Sequence, residues 1–460
     1  MSIDIIRHNK VITQGLPGPL VESIKKHLTI MNPKYLDAIK FGRWPGQIDK
    51  FIIDYEEDKD ILVIPRGMFR PLTSILERNN LKYNLMDTRL SYMTRNIKSN
   101  IILRDSQIPI AKSIEGKEEG VIVAPPGSGK TVIGMYVISR IGQPTLWVTH
   151  TNKLFNQAIE RASQFLNIGE EDIGRIRQNE RSIGKNLTVA MLQTLYARDL
   201  SELVHNFGMV VVDEVHHLPA RSFLSTVTQF PARYMFGLTA TDYRKDNLQG
   251  IMFQNIGPVI YRLVHEEARE EVMTPKIKRV YTGIPFLYVD GYFQRLITDV
   301  VSNDIRNRMI VRDVASEVAK GNDCIILSGR VKHCHVLLEI LKTEKIEGRI
   351  AVGKGRTSKV NEEAVKDVVD GKSKVLIATY SLLSEGFDCP KLNRLFLTTP
   401  VRSRGLYVQS VGRILRQSPG KEDAVVYDYI DENSLLYNQA GSREQYSLQE
   451  WNAIITEERK

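Results

Sequence analysis

Cysteine is scarce: the 460 residues hold three, Cys324, Cys334 and Cys389, an odd number with no C-x-x-C pair. That removes a disulfide framework and a zinc ribbon, and it fits a chain kept in a reducing compartment. Long apolar runs are missing as well, since no stretch approaches the roughly 18 continuous apolar residues of a membrane span. The opening MSIDIIRHNK lacks the charged-then-apolar layout of a secretory signal. The expected location is therefore intracellular, in the cytoplasm, or in a host's cytoplasm for a viral chain. What is present is an ordinary globular balance, 42% hydrophobic and 25% charged. The length exceeds a single core and suggests about three domains of roughly 150 residues. Lys plus Arg outnumber Asp plus Glu by 63 to 54, and the net +9 suits a polyanionic partner such as nucleic acid, although many basic chains bind none.

From about residue 119, β-rich apolar runs alternate with helical patterns: GVIVA, TVIGMYVISRI, PTLWVTH, TNKLFNQAIERASQFL, then LTVAML, MVVVDE and YMFGLTA. Such alternation implies parallel α/β units with strands buried on both faces. The charged stretch LVHEEAREEVMTPKIKRV carries no buried-strand pattern until Pro275 and reads as a domain exit and linker. A second series follows, with strands DCIILS, RIAVG, KVLIATY, RLFLTTP and DAVVYDYI and with helices that include GLYVQSVGRILR. Residues 1–98 differ, with short apolar runs broken by Gly, Pro and charge, and read as a small α+β accessory domain. The expected layout is 1–98 an accessory domain, 99–270 a first α/β domain, and 271–460 a second with a helical C-terminal tail.

GVIVAPPGSGKTVIG sets a Gly-rich loop between a buried strand and a helix, the context a P-loop needs. In the loop that Pro126 enters, Gly127, Ser128 and Gly129 would wrap phosphate with backbone N–H groups, Lys130 would meet the β and γ phosphates, and Thr131 would offer its hydroxyl to Mg²⁺. Ala124 stands where the strict pattern has Gly. Downstream, MVVVDEVHH puts Asp213 and Glu214 at the end of a buried strand, Asp213 to anchor Mg²⁺ and Glu214 to orient or deprotonate the attacking water. His216 and His217 are adjacent, point different ways and lack a third ligand, so no zinc site is expected. ATP and Mg²⁺ are the expected cofactors.

A-x-x-G-x-G-K-T followed by D-E-x-H resembles the superfamily 2 helicases, whose fold is two tandem RecA-like domains, parallel sheets flanked by helices. The resemblance implies further motifs. GLTATDYR, residues 237–244, is similar to the Thr-Ala-Thr turn that links nucleotide state to nucleic acid. LRDSQIPIAKSI is similar to the adenine-recognition segment, with Gln107 as base reader and Arg104 nearby, though Arg104-Asp105 replaces the usual Arg-Pro. YVQSVGRILR resembles the arginine motif through Gln409, Gly412, Arg413 and Arg416. The spacing of Arg413 and Arg416 predicts one helical face from which both deliver charge to the γ-phosphate. IATYSLLSEGFDCPKL implies Glu385, Gly386 and Asp388 at the nucleotide face and Thr379 on the nucleic-acid backbone, with Cys389 merely packed. Backbone contacts are implied also for Thr149, Lys153, Gln193, Thr194 and Arg330. VGKGRTSK, residues 352–359, echoes a P-loop without its spacing and reads as a basic loop, solvated or touching phosphate.

Within the superfamily, DEVHH, LTATDYRKD, SEGFDCPKL and VGRILRQSPGK resemble the XPB-type and phage UvsW-type DNA helicases. Arg244-Lys245-Asp246 departs from the Arg-Glu-Asp of the XPB type. That likeness implies an ATP-dependent DNA helicase or translocase that remodels forked or branched DNA, in fork regression or Holliday junction branch migration. It would be largely sequence-independent, active as a monomer, and involve neither membrane nor zinc. A double-strand translocase that never separates strands and an RNA-dependent ATPase are the other readings. Residues 1–98 hold 16 Lys plus Arg against 11 Asp plus Glu, hence +5 of the chain's +9. There Arg43, Trp44, Lys50, Arg66, Phe69 and Arg70 mix cations with aromatics that could stack at a junction, core packing being the other reading for Trp44 and Phe69.

Overall fold

Buried β-branched runs bounded by Gly and charge set the strands. The computed structural model describes every residue except 1, 41, 43, 126–127, 216–219, 241–247, 264–272, 353–357 and 385–388. The chain divides into two units, Met1–Ala124 with Gly129–Leu263, and Pro125–Ser128 with Val264–Lys460. Both are built on parallel α/β sheets, the expected fold class. Among the described residues no helix is long and apolar enough to cross a membrane.

The first unit holds two main sheets. The smaller runs in the order Glu56–Asp58, Ile61–Pro65, Lys10–Gln14, Ile3–Arg7, Tyr83–Asp87, antiparallel except for its last pair. With helices Gly18–His27 and Phe69–Arg78 it encloses its own core around Ile5, Leu28, Ile64 and Leu76. Ion pairs join it to the larger sheet. Arg66 Nε lies 3.0 Å from Glu119 Oε2, Arg7 reaches Glu118 at 3.1 Å and Glu119 at 3.5 Å, and Arg89 reaches Glu118 at 2.8 Å. Arg66 also donates to the carbonyls of Ala232 (2.9 Å) and Arg233 (3.0 Å). Where the two parts touch, a Cβ on Gly67 would sit 2.5 Å from the Phe253 carbonyl, so only glycine fits.

This packing divides the cation and aromatic residues of the N-terminal segment. Phe69 is buried beneath the Arg7 guanidinium, 3.9 Å from its ring centre, and Arg66 is buried in its ion pair. Trp44, Lys50 and Arg70 are exposed, and Arg43 lies outside the described residues.

The larger sheet runs Glu180–Arg181, Gly174–Arg177, Leu187–Met191, Thr145–Thr149, Met209–Asp213, Tyr234–Thr239, Glu119–Val123, Val259–Arg262, parallel but for the first pair. The loops that follow Val123, Thr149, Met191, Asp213 and Thr239 therefore all leave one edge.

The second unit carries a seven-stranded parallel sheet in the order Gly348–Ala351, Val375–Thr379, Cys324–Ser328, Arg394–Leu397, Val425–Glu432, Lys276–Pro285, Ile454–Arg459. Two of these strands correct the sequence expectation. KIKRV, read as linker, forms the strand Lys276–Pro285, paired on both sides. The tail, expected helical, is helix only over Ser434–Trp451; Asn452 turns left-handed (φ 48°), and Ile454–Arg459 becomes the edge strand. One physical reason covers both. The cations that mask strand character in the first are matched by acids on its neighbours, Lys276 to Asp423 (2.9 Å), Arg279 to Glu457 (3.0 Å) and Lys278 to Glu458 (2.5 Å).

Candidate active site

Glu119–Val123 is buried throughout between two parallel neighbours and ends in the Gly-rich loop. The Ala124 N–H donates to the Thr239 carbonyl at 2.9 Å, and Ser128 Oγ donates to the Pro125 carbonyl at 2.8 Å. Gly129 adopts φ +79° as it opens helix Lys130–Ile141, and a Cβ there would come 2.5 Å from Gln107 Nε2. Both the left-handed backbone and the close amide exclude a side chain. Gln107 is buried at the end of the turn Asp105–Gln107 and accepts from the Arg104 N–H at 3.1 Å, while the Arg104 side chain is exposed. Gln107 is thus seated against the loop and Arg104 stands at the surface. Thr131 is half-buried in the first helical turn. Pro126 and Gly127 lie outside the described residues.

Met209–Asp213 ends one strand away from the loop strand, across Tyr234–Thr239. The buried Lys130 brings its Nζ within 3.2 Å of the Ala124 carbonyl and 3.5 Å of Glu214 Oε1. Glu214 sits at φ +49°, a costly backbone for a residue with a Cβ, and this sharp turn directly after the strand goes with its carboxylate facing Lys130. Burial pushes the Asp213 carboxyl up to about 7, the Glu214 charge adds to this, and Lys130 offsets part of it. Two carboxylates and one ammonium, mostly withdrawn from water, form an arrangement short of positive charge.

His150 is a group that sequence reasoning passed over. Burial lowers its pKa, the Glu214 charge opposes that, and its carbonyl accepts from Gln193 Nε2 at 3.0 Å. The only signal was its place in WVTHTNKL.

In the second unit Gln409 is buried in helix Arg404–Gly412. The shared helical face expected for Arg413 and Arg416 is corrected, because the helix ends at Gly412. The Arg413 N–H closes on the Ser410 carbonyl (3.3 Å) and Ile414 on Val411 (3.0 Å). Ile414 and Leu415 are then buried side by side, which unwinds the chain and leaves half-buried Arg416 beyond the turn, its carbonyl held by Lys421 Nζ at 2.8 Å. Glu385, Gly386 and Asp388 lie outside the described residues, as do Thr241–Asn247, His216, His217 and residues 353–357 of the basic loop. Cys389 is buried.

The residues expected on nucleic acid gather at sheet edges. Lys153 is exposed in the first turn of Asn152–Leu166, which the Thr151 hydroxyl caps by accepting from Leu154 N–H at 3.2 Å. Gln193 is exposed beside it, and Thr194 accepts from the Gln178 N–H at 3.2 Å. Thr149 leaves this set: it is fully buried, with its hydroxyl 3.5 Å from both the Ala190 carbonyl and Met191 Sδ, since the hydrophobic strand draws it inward. Thr379 and Arg330 close neighbouring strands, where Thr379 is buried against Ser381 Oγ (2.9 Å) and Arg330 bonds Gln294.

Residues 94–244 match the family "Type III restriction enzyme, res subunit", and residues 306–418 match the family "Helicase conserved C-terminal domain". L396 of Acanthamoeba polyphaga mimivirus, whose name carries the words ATP-dependent RNA helicase, is 30% identical over 354 residues, which are 73% of this chain and 65% of that protein. "DNA 3'-5' translocase XPB2" of Sulfurisphaera tokodaii is 26% identical over 377 residues, 74% of this chain and 84% of that one. The chain belongs to the superfamily 2 helicases. Among solved structures, Dbp5 of S. cerevisiae bound to RNA and ADP BeF3 aligns over 85% of this chain and 92% of its own at 15% identity and a TM-score of 0.54, a likeness of fold alone. Of the residues expected at the nucleotide, Gln107, Gly129, Lys130, Asp213 and Glu214 are thus one cluster in the first unit, while Gln409, Arg413 and Arg416 are carried by the second. The superfamily is one of enzymes that hydrolyse ATP on nucleic acid, and the XPB2 match agrees with the XPB-type likeness.

Proposed function

We propose that the chain is an ATP-dependent DNA helicase or translocase that remodels branched DNA, by fork regression or branch migration, inside the cell and as a monomer. The observation that carries the enzymatic part is Lys130, held between the Ala124 carbonyl and Glu214 at the mouth of the Gly-rich loop, with Asp213 buried alongside. ATP phosphates would take over the Lys130 ammonium, and Glu214, released from it, would orient the attacking water and accept its proton. The donor set fits Mg²⁺: the Thr131 hydroxyl and the Asp213 carboxylate are hard oxygen ligands, in a site where two carboxylates outnumber one ammonium. Bound there, the ion would neutralise charge on the β and γ oxygens. Arg413 and Arg416 would supply charge to the γ-phosphate, the role that their motif implies. Lys153, Gln193, Thr194 and Arg330 would track the phosphate backbone, giving largely sequence-independent, salt-sensitive binding.

DNA as substrate is favoured by the name of the XPB2 relative. An RNA-dependent ATPase is the second reading, favoured by the name of L396. ATPase rates measured with forked DNA, blunt duplex, single-stranded DNA and RNA decide between them. Stimulation greatest on forks supports the proposal, stimulation by RNA alone supports the second reading, and no stimulation by any of them overturns both.

A further inference from the structure

Residues 29–53 stand apart from both sheets of the first unit. Thr29–Met31 and Phe51–Ile53 pair in a separate two-stranded ladder, with helix Pro33–Lys40 and a Gly/Pro-containing loop between them. Large apolar side chains here face outward: Trp44 is 89% exposed, Ile53 57%, Ile39 54% and Leu36 49%. Helix Pro33–Lys40 buries only Ala38. Lys34, Lys40 and Lys50 are exposed among these groups, against Asp37 and Asp49, and the Lys50 ammonium lies 5.3 Å over the Phe51 ring.

The base of this projection is anchored. The Asp54 carboxylate accepts from Asn255 Nδ2 at 2.6 Å, the His27 carbonyl accepts from Gln254 Nε2 at 3.4 Å, and Gly67 packs directly on the Phe253 and Gln254 carbonyls. All three anchors lie on helix Gln249–Ile256, which follows the Thr-Ala-Thr segment in sequence. The base of this segment is therefore held against the unit that carries Lys130 and Glu214.

We propose that the described residues of 29–53 form a wedge, held at its base, on which unpaired bases of a DNA strand stack, with Trp44 as the stacking face. This rests on the nucleic-acid motor reading and names the group that meets the opened strand. Protein-docking faces are depleted of lysine at their centres, whereas here lysines interleave with the apolar residues, the pattern of a surface that takes bases on its rings and phosphates on its ammoniums. Such a stack accepts any base, as sequence-independent remodelling requires.

The chain's composition gives a direct probe. Of its three tryptophans, Trp147 and Trp451 are buried and Trp44 alone is exposed. In the full-length protein, titration with a forked DNA bearing two unpaired thymidine arms should quench tryptophan emission, and a blunt duplex of equal length should not. Trp44→Ala should abolish that quench and weaken fork binding by about 5- to 150-fold, the range for loss of a base–aromatic stack. Its thermal unfolding midpoint should stay where the wild type's is, and Trp44→Phe, which keeps a stacking ring, should retain most of the affinity. Wild-type ATPase stimulated by forked DNA, together with equal fork affinity in wild type and Trp44→Ala, overturns the wedge and spares the motor reading. Absence of any DNA-stimulated ATPase in the wild type overturns both. Self-association lost in Trp44→Ala with fork affinity unchanged assigns the face to a second copy of the chain and overturns the proposal.

Discussion

Glu119 opens the strand that delivers the Gly-rich loop, and it is also where the N-terminal sheet takes hold. Its carboxylate is nearly dry, Arg66 sits at 3.0 Å with its side chain 3% exposed, and Arg7 stands at 3.5 Å. Glu119→Ala strands the Arg66 guanidinium in the interior, since its other partners are two neutral carbonyls. Removing one member of a buried pair costs about 3–5 kcal/mol. At roughly 2–4 °C per kcal/mol for a domain of about 150–250 residues, that lowers the unfolding midpoint of the first unit by about 6–20 °C. Calorimetry on the full chain measures this directly. The companion variant, Glu119→Leu with Arg66→Met, removes both charges and should lie closer to wild type than Glu119→Ala. A residual cost of about 1–3 kcal/mol should remain, because the Ala232 and Arg233 carbonyls lose their donor. A shift of the single variant below about 1 kcal/mol, the scale of a surface pair, or a double variant worse than the single, would refute the argument that this ion pair is buried and mutually dependent.

Lys130→Ala should abolish ATP hydrolysis while leaving DNA binding mostly intact, read by phosphate release and by fluorescence anisotropy on a fork. Arg413→Ala should reduce kcat by on the order of 10³- to 10⁵-fold if its guanidinium meets the γ-phosphate, with nucleotide affinity changed far less. Gly129→Ala places a Cβ against Gln107 at φ +79° and should weaken binding of a fluorescent ATP analogue by at least about tenfold, the equivalent of roughly 1–2 kcal/mol of backbone strain. For pH, burial raises the Glu118 and Asp87 carboxyls, but the hydrogen bonds and charge of Arg89, with Arg7 behind them, bring each down to about 2. Their folded values lie below the ordinary carboxylate range, so the stability they contribute is complete above about pH 4.5 and is lost as pH falls toward 2. Glu118→Gln should flatten the decline of the unfolding midpoint over that interval.

Chain-local signals settled a good deal. A strand, a Gly-rich loop and a helix occupy consecutive residues, so the P-loop from Val121 to Val132 is readable from the sequence, as is a carboxylate pair closing an apolar run at Asp213 and Glu214. Continuous apolar strands also imply parallel sheets wherever both faces must be covered. The features that went unread depend on partners remote in sequence. Lys276–Pro285 is a strand because acids some 150 to 180 residues later neutralise its cations. Arg413 and Arg416 part company because Ile414 and Leu415 must both be buried, and Thr149 turns inward because its neighbours at Ala190 and Met191 lie there. Phe69 and Trp44 have similar composition around them, yet one is covered by Arg7 and the other faces water. Hydrophobic period and motif spacing act between near neighbours along the chain, and they fixed the elements and the nucleotide chemistry. Burial and charge pairing act between residues that only the fold brings together, and they decided which face of the N-terminal sheet is core, which is anchor and which is left open.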